Sequence, residues 1–360
     1  MTTTSKRLGY LDWMRGLAAL IMLQGHVMDG WVRPQDRSGE WFWLSQFLGG
    51  LPAPIFLFLV GISLAIVTDR MRAKGASTRD LVLKVLRRGS WLLFLAYVFR
   101  LEQFVVWYPA SEWSGVFRVD TLNCIAICTI VIGLLSVAFT SRRSSIIGMA
   151  VTTTVFVFIT PWAYAVRGLP AFLLSYLNGA NHPYYFSFFP WASFTLAGTT
   201  FGYLLLEAKQ RIGEAEFFKR AAVTGVCAYA LGRAMSLTAA FEYGVFDYSV
   251  TSPHYFLVRL GWILLILYGA YCWSTREAAA GWSPLISLGR SSLIVYWLHI
   301  DIVYGRLFHG FGQSLDLFNA VLQLLWLVPL MILASCTRAI WTTVQLRLDT
   351  LAAVREAPLQ

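Results

Sequence analysis

Leu11-Asp12-Trp13-Met14-Arg15-Gly16 runs on through Leu17-Ala18-Ala19-Leu20-Ile21-Met22-Leu23 to Gln24-Gly25-His26, so an apolar stretch of helical length carries three ionisable side chains. Residues 9 to 29 suffice to cross a bilayer as one helix. Ionisable groups inside such a span are costly, and their presence points to function. At about 100° per residue, His26 lies roughly 20° around the helix from Arg15 and about 40° from Asp12, which puts all three on one stripe. Eleven residues separate Arg15 from His26, about 16 Å of rise, so a charged pair is expected near one membrane surface and an imidazole near the other.

The rest of the chain extends this reading. Hydrophobic residues make up 57% of the 360, charged residues 13%, and the mean hydropathy is +0.60. That balance excludes an ordinary water-soluble globule and indicates an all-α, polytopic membrane bundle. Ten apolar stretches are long enough to cross, at about 9–29, 44–67, 82–106, 121–139, 145–166, 186–206, 219–240, 255–273, 284–304 and 316–337. No soluble domain, low-complexity tract or internal repeat interrupts them, so residues 1–360 read as one integral-membrane domain. Trp31, Trp41, Trp43, Trp107, Tyr108 and Trp113 are expected at helix ends, where amphipathic rings favour the headgroup level.

The formal net charge of +10 would suit a nucleic-acid partner if it were clustered, but it is spread over short loops. One set of alternate loops collects Lys6 and Arg7, then Arg70 to Arg88, Arg142 and Arg143, Lys209 to Arg220, Arg276, and Arg338 onward. The opposite set holds only Arg33, Arg37, Arg118, Arg167 and Arg306. The positive-inside rule then places both termini in the cytoplasm and His26, His182, His254, His299 and His309 toward the outer face. Membrane lipids are therefore expected partners and nucleic acid is not. The N-terminal segment reads as a retained helix and not a signal peptide, because Asp12 and Arg15 interrupt its apolar run and no small-residue cleavage site follows.

The five cysteines, Cys124, Cys128, Cys227, Cys272 and Cys336, lie in apolar segments outside any metal-ligand spacing. They read as inert buried thiols, and no metal is expected. Asp12 and Arg15 form either an internal ion pair at i, i+3 or a grip for a phosphate or carboxylate, and both roles are compatible. Pro52-Ala53-Pro54 opens the second span, where Gly61 and Ser63 suit close helix packing. Lys84, Arg87 and Arg88 enter the third span, suited either to anionic lipid or to a nucleotide phosphate. Arg100 and Glu102 are expected to pair with each other. In the ninth span Ser292, Tyr296 and His299 share one face, with Arg290 and Asp301 roughly opposite.

Together these segments resemble the transmembrane acyltransferase superfamily, most closely the heparan-alpha-glucosaminide N-acetyltransferase-like catalytic domain and its bacterial relatives. The resemblance is carried by Arg7 with Leu11-Asp12-x-x-Arg15-Gly16 and Met22 to His26, and by Pro54-x-Phe56-x-Phe58-x-x-Gly61-x-Ser63. Arg88-Gly89, Pro190-Trp191 with Gly198 and Gly202, and Leu288-Gly289-Arg290-Ser291-Ser292-Leu293 with Tyr296 and His299 complete it.

The resemblance implies transfer of an acyl group, commonly acetyl from cytoplasmic acetyl-CoA, to a sugar or glycan acceptor on the extracytoplasmic side of a bacterial inner membrane. It makes His26 the leading catalytic position, as general base or acyl carrier. The lysosomal enzyme's histidine lies in the following loop, but residues 30 to 43 contain none here, so direct transfer and an acetyl-histidine intermediate both stay open. Arg15 and Arg88, with Arg87 and Arg290, are then expected to meet the CoA phosphates, and Asp12 to orient Arg15. His299, Tyr296 and His182 are expected to shape the acceptor site. A homo-oligomer is compatible with this reading. The competing class is a transporter or channel whose intramembrane charges line a substrate path.

Overall fold

The computed structural model describes residues 8–179, 186–237, 251–276 and 281–355, with side chains as far as residue 337. Among the described residues the regular elements are helices: α1 (Gly9–Trp31), α2 (Glu40–Gly49), α3 (Pro52–Ala73), α4 (Thr78–Trp107), α5 (Thr121–Ala138), α6 (Arg142–Ala165), α7 (Ala171–Leu177), α8 (Phe188–Arg211), α9 (Glu214–Met235), α10 (Pro253–Ser274), α11 (Pro284–Arg290), α12 (Ser292–Tyr304) and α13 (Leu317–Arg355). The all-α expectation holds, and every one of the ten apolar stretches contains a helix. Among the described residues, five helical stretches are long and apolar enough to cross a membrane, six if the bent pair α11–α12 counts as one.

Large apolar side chains remain exposed along these helices. On α6, Ile147, Val151, Val155, Phe158 and Trp162 recur at three- and four-residue steps and all face outward. An uncovered stripe of this kind would be strongly unfavourable in water and is suited to lipid, so the chain is an integral membrane protein.

Two compact units form, one from Met1–Pro52 with Trp273–Gln360, the other from Ala53–Cys272. In the first, α1 is the central element. Gly16 packs on the backbone of Leu285 so closely that a Cβ would collide with the carbonyl, and Gly289 does the same against the carbonyl of Asp12. These two glycines set the crossing of α1 and α11. Farther along α1, a Cβ on Gly25 would stand 2.9 Å from the Gly49 Cα, which fixes the approach of α2. The end of α1 is clamped by an isolated bridge between Val32 and Leu315, through Arg33 N to Leu315 O at 2.8 Å and Leu315 N to Trp31 O at 2.9 Å.

The ninth span departs from expectation. Residues 284–304 form two helices bent by 88° at Ser291. Gly289 presses onto α1, Ser291 Oγ donates to the Ser335 carbonyl of α13 at 3.4 Å, and a new helix starts at Ser292. The shared face of Arg290 and Asp301 is lost with the break. Trp31 is also not an interfacial anchor: it is fully buried, packs on Phe308 and Phe311, and donates its indole N–H to Val303 O at 2.9 Å. Trp41, Trp43, Tyr108 and Trp113 are exposed near helix ends, as expected.

In the second unit, small residues let α3 and α8 touch. Gly61 abuts the backbone of Thr195 to Thr199, Gly198 the carbonyl of Phe58, and Gly202 the Ile62–Ala65 turn. This is the packing role read for Gly61, while Ser63 Oγ returns to the Leu59 carbonyl at 2.8 Å. Gly89 on α4 accepts Ile130 of α5. Arg72 reaches the carbonyls of Ser136 and Val137 at 3.1 and 3.0 Å, satisfying the end of α5. Cys124 and Cys128 are buried with sulfurs 3.9 Å apart, but Cys227 is exposed and Cys272 and Cys336 are half-buried. Only the first two match the buried-thiol reading, because the outer flanks of α9, α10 and α13 leave apolar positions uncovered.

Candidate functional site

The close α1–α11 crossing brings three of the expected site residues together. Asp12 is buried, 1% exposed, and its two carboxylate oxygens take different guanidiniums: Arg15 Nη1 at 3.1 Å and Arg290 Nε at 3.4 Å. Gly289 is the residue before Arg290 and lies on the Asp12 carbonyl, so the backbone contact itself delivers Arg290 to the carboxylate. Among the described residues, two guanidiniums thus meet one buried carboxylate, and guanidinium groups are suited to anionic partners. The Arg290 side chain is 55% exposed, against 24% for Arg15, so Arg290 is the more open of the two.

At the other end of α1, His26 is half-buried and meets α12. Its Nδ1 lies 2.9 Å from Nε2 of His299, the ring centroids are 5.0 Å apart, and the planes differ by 29°. His299 is fully buried, and its Nδ1 donates to the Val295 carbonyl at 2.7 Å. Tyr296 packs edge-on against His299 at 5.8 Å. The equivalent edge contact on His26 comes from Tyr304, at 5.6 Å, and the Tyr304 hydroxyl donates to Asp29 Oδ2 at 3.0 Å. Sequence reasoning missed Tyr304 and Asp29. Asp29 follows His26 by three residues and so shares its face, a signal that was present.

In the second unit, Arg88 and Lys84 line a small open cleft between α3 and α4, together with Ser63, Leu64, Val67 and Thr68. Arg87 is exposed and not among the residues that line it. Arg100 does not pair with Glu102. Its Nη2 lies 3.0 Å from Oδ2 of Asp120, while Glu102 accepts from the Gln103 amide at 2.9 Å. Asp120 caps α5 by accepting from Leu122 N and Asn123 N, which brings its carboxylate within reach of α4. Asn123 in turn donates to the Tyr176 hydroxyl, itself 2.7 Å from that of Tyr97. His182 lies outside the described residues. Among the described residues, no group of three or more His, Cys, Asp or Glu side chains is placed to hold a metal ion.

Compared with curated proteins, the chain matches none. Residues 7–238 match the family described as heparan-alpha-glucosaminide N-acetyltransferase, catalytic. The match takes in Asp12, Arg15, His26, Gly61, Arg87, Arg88 and Gly198, and ends before Arg290, Tyr296 and His299. With well over half its length matched, its helices suited to lipid, and the Asp12–Arg15 and His26 positions inside the matched region, the chain belongs to the heparan-alpha-glucosaminide N-acetyltransferase catalytic family of membrane transferases.

Proposed function

We propose that the protein is an acyl-CoA-dependent acyltransferase of a bacterial inner membrane, moving an acetyl group from cytoplasmic acetyl-CoA to a sugar or glycan acceptor on the extracytoplasmic side. In this reading residues 1–360 act as a single integral-membrane domain with ten spans and both termini cytoplasmic. One observation carries it: a single helix, α1, holds the Asp12–Arg15–Arg290 cluster near its start and the His26–His299 pair near its end. The cationic cluster suits the phosphates of CoA, and Lys84 and Arg88, beside the exposed Arg87, suit the same chemistry in the second unit.

His26 accepts the proton of the acceptor's hydroxyl or amine as that atom attacks the thioester carbonyl. The carbon–sulfur bond breaks, and the CoA thiolate leaves with the proton returned from the imidazolium. If His26 instead attacks the thioester itself, it carries the acyl group for a second transfer.

The break between α11 and α12 is the one observation that favours a transport path, since discontinuous helices line substrate sites in transporters. Acetyl-CoA binding and acetyl transfer by the purified protein in detergent separate the two readings, with Arg15→Ala and His26→Ala alongside. Binding weakened by Arg15→Ala and turnover abolished by His26→Ala support the enzyme. Absence of binding in every form overturns it in favour of transport.

A further inference from the structure

The hydrogen bonds around His299 fix more than its own position. A backbone carbonyl only accepts, so the 2.7 Å contact with Val295 O requires the proton of His299 on Nδ1. In the neutral ring Nε2 is then bare, and it faces His26 Nδ1 at 2.9 Å. Two bare nitrogens would repel at that distance, so His26 must supply the proton. That places the His26 hydrogen on Nδ1 and leaves its Nε2 as the lone-pair nitrogen. No side chain or backbone group among the described residues hydrogen-bonds to that Nε2, and His26 is only half-buried, with Tyr304 against its ring edge.

His299, by contrast, is wholly buried, and both its nitrogens have protein partners. Its geometry therefore serves His26 in place of the acceptor contact expected of it. We propose that His299 is a positioning residue, relaying the Val295 carbonyl into a fixed Nδ1–H tautomer of His26 and so presenting the His26 Nε2 lone pair to the reaction. This rests on the reading of His26 as the base. The logic is that of a triad in which a third group orients the base, here with an imidazole in the role usually filled by a carboxylate. An imidazole adds no negative charge to the helix interface, where an unpaired carboxylate would be costly.

The test has two parts. Nitrogen-15 NMR of histidine-labelled protein in nanodiscs, with His26→Gln used to assign the signal, reads the tautomer directly. His26 protonated on Nδ1 alone supports the inference, and an Nε2–H or doubly protonated His26 overturns it, whatever the protein catalyses. Kinetics then compare His299→Phe with His299→Gln. The Phe variant removes the acceptor for the His26 N–H and should lower kcat about 100-fold with KM for acetyl-CoA unchanged. The Gln variant, whose side-chain oxygen accepts the same proton, should recover most of the loss. An unchanged kcat in His299→Phe, or equal losses in both variants, overturns the positioning role. Turnover that survives His26→Ala would instead remove the reading of His26 as the base and leave the tautomer result standing. If His299→Phe does not fold, the NMR result on the unsubstituted protein decides.

Discussion

Arg290 Nε lies 3.4 Å from Asp12 Oδ2, joining two residues 278 positions apart in the chain. Because the other carboxylate oxygen is held by Arg15, Asp12 is a buried anion with, among the described residues, two unequal supports. Removing the less exposed one, Arg15, should destabilise the protein by about 3 kcal/mol, as when a buried pair is broken. Arg290→Ala should cost well under 1 kcal/mol because that side chain is largely in contact with solvent. Thermal unfolding in detergent measures both. Equal losses would show that the two guanidiniums support Asp12 alike. If Arg290 also binds a CoA phosphate, Arg290→Ala should weaken acetyl-CoA binding while leaving Tm almost unchanged.

The crossing beneath this cluster depends on glycine at two positions. A methyl group at Gly16 would enter the Leu285 carbonyl, and one at Gly289 would enter that of Asp12. Neither obstacle is a flexible side-chain end, so α11 must move. Gly289→Ala and Gly16→Ala should each destabilise by several kcal/mol and should also separate Arg290 from Asp12. Gly39→Ala, where a Cβ meets nothing within 4 Å, is the control and should be neutral. A Gly289→Ala protein with unaltered Tm would show that α1 and α11 pack differently.

Loss of His26 should act mainly on turnover. A proton-transfer role is typically worth about 10² to 10⁴ in rate, and His26→Ala should show a loss in that range. The substitution also strips His299 Nε2 of its donor inside the bundle, a further cost of about 1 to 3 kcal/mol. His26→Gln can still donate toward His299, so it should recover Tm but not turnover. Activity in the Gln variant equal to the unsubstituted protein would remove the base from the scheme.

Much of this site was legible in the residues. The stripe of Asp12, Arg15 and His26 follows from helical periodicity, and the ion pair at i, i+3 is as local as a contact can be. The all-helical architecture follows from apolar run lengths that leave no other way to satisfy the backbone in lipid. What was not legible depends on contacts between distant segments. The partner of Arg290 is set by the Gly289–Asp12 crossing, and the partner of Arg100 by the cap that Asp120 makes on α5. The bend at Ser291 arises from tertiary contacts on both sides of a sequence that reads as one continuous apolar run.

Asp120 both caps α5 and pairs with Arg100, so Asp120→Ala loses the cap and leaves a largely buried guanidinium unsupported. A loss of about 3 to 5 kcal/mol is expected from the pair alone. Glu102→Gln touches neither and should be within about 0.5 kcal/mol of the unsubstituted protein. Comparable losses in the two variants would restore Glu102 as a partner.

The start of α4 offers a readout in pH, just before the apolar part of the helix begins. Asp80 accepts from Ser77 N at 3.0 Å and Ser77 Oγ at 2.7 Å, while Ser77 Oγ accepts from Asp80 N at 3.2 Å, a reciprocal capping box. These hydrogen bonds hold the Asp80 carboxyl below its ordinary pKa. A carboxyl lowered on folding adds stability that is present above its unfolded pKa and lost as pH falls through the lowered, folded one. Asp80→Asn should therefore show a slightly lower Tm than the unsubstituted protein at neutral pH, and the gap should close below the carboxylate range. Lys84, one turn farther along α4 and on the rim of the cleft with Arg88, lies on the same helix start, so fraying there should also weaken any phosphate held at that cleft. A Tm gap that stays constant from neutral to acid pH would show that the Asp80 charge contributes nothing and that the side chain acts only as a neutral hydrogen-bond acceptor.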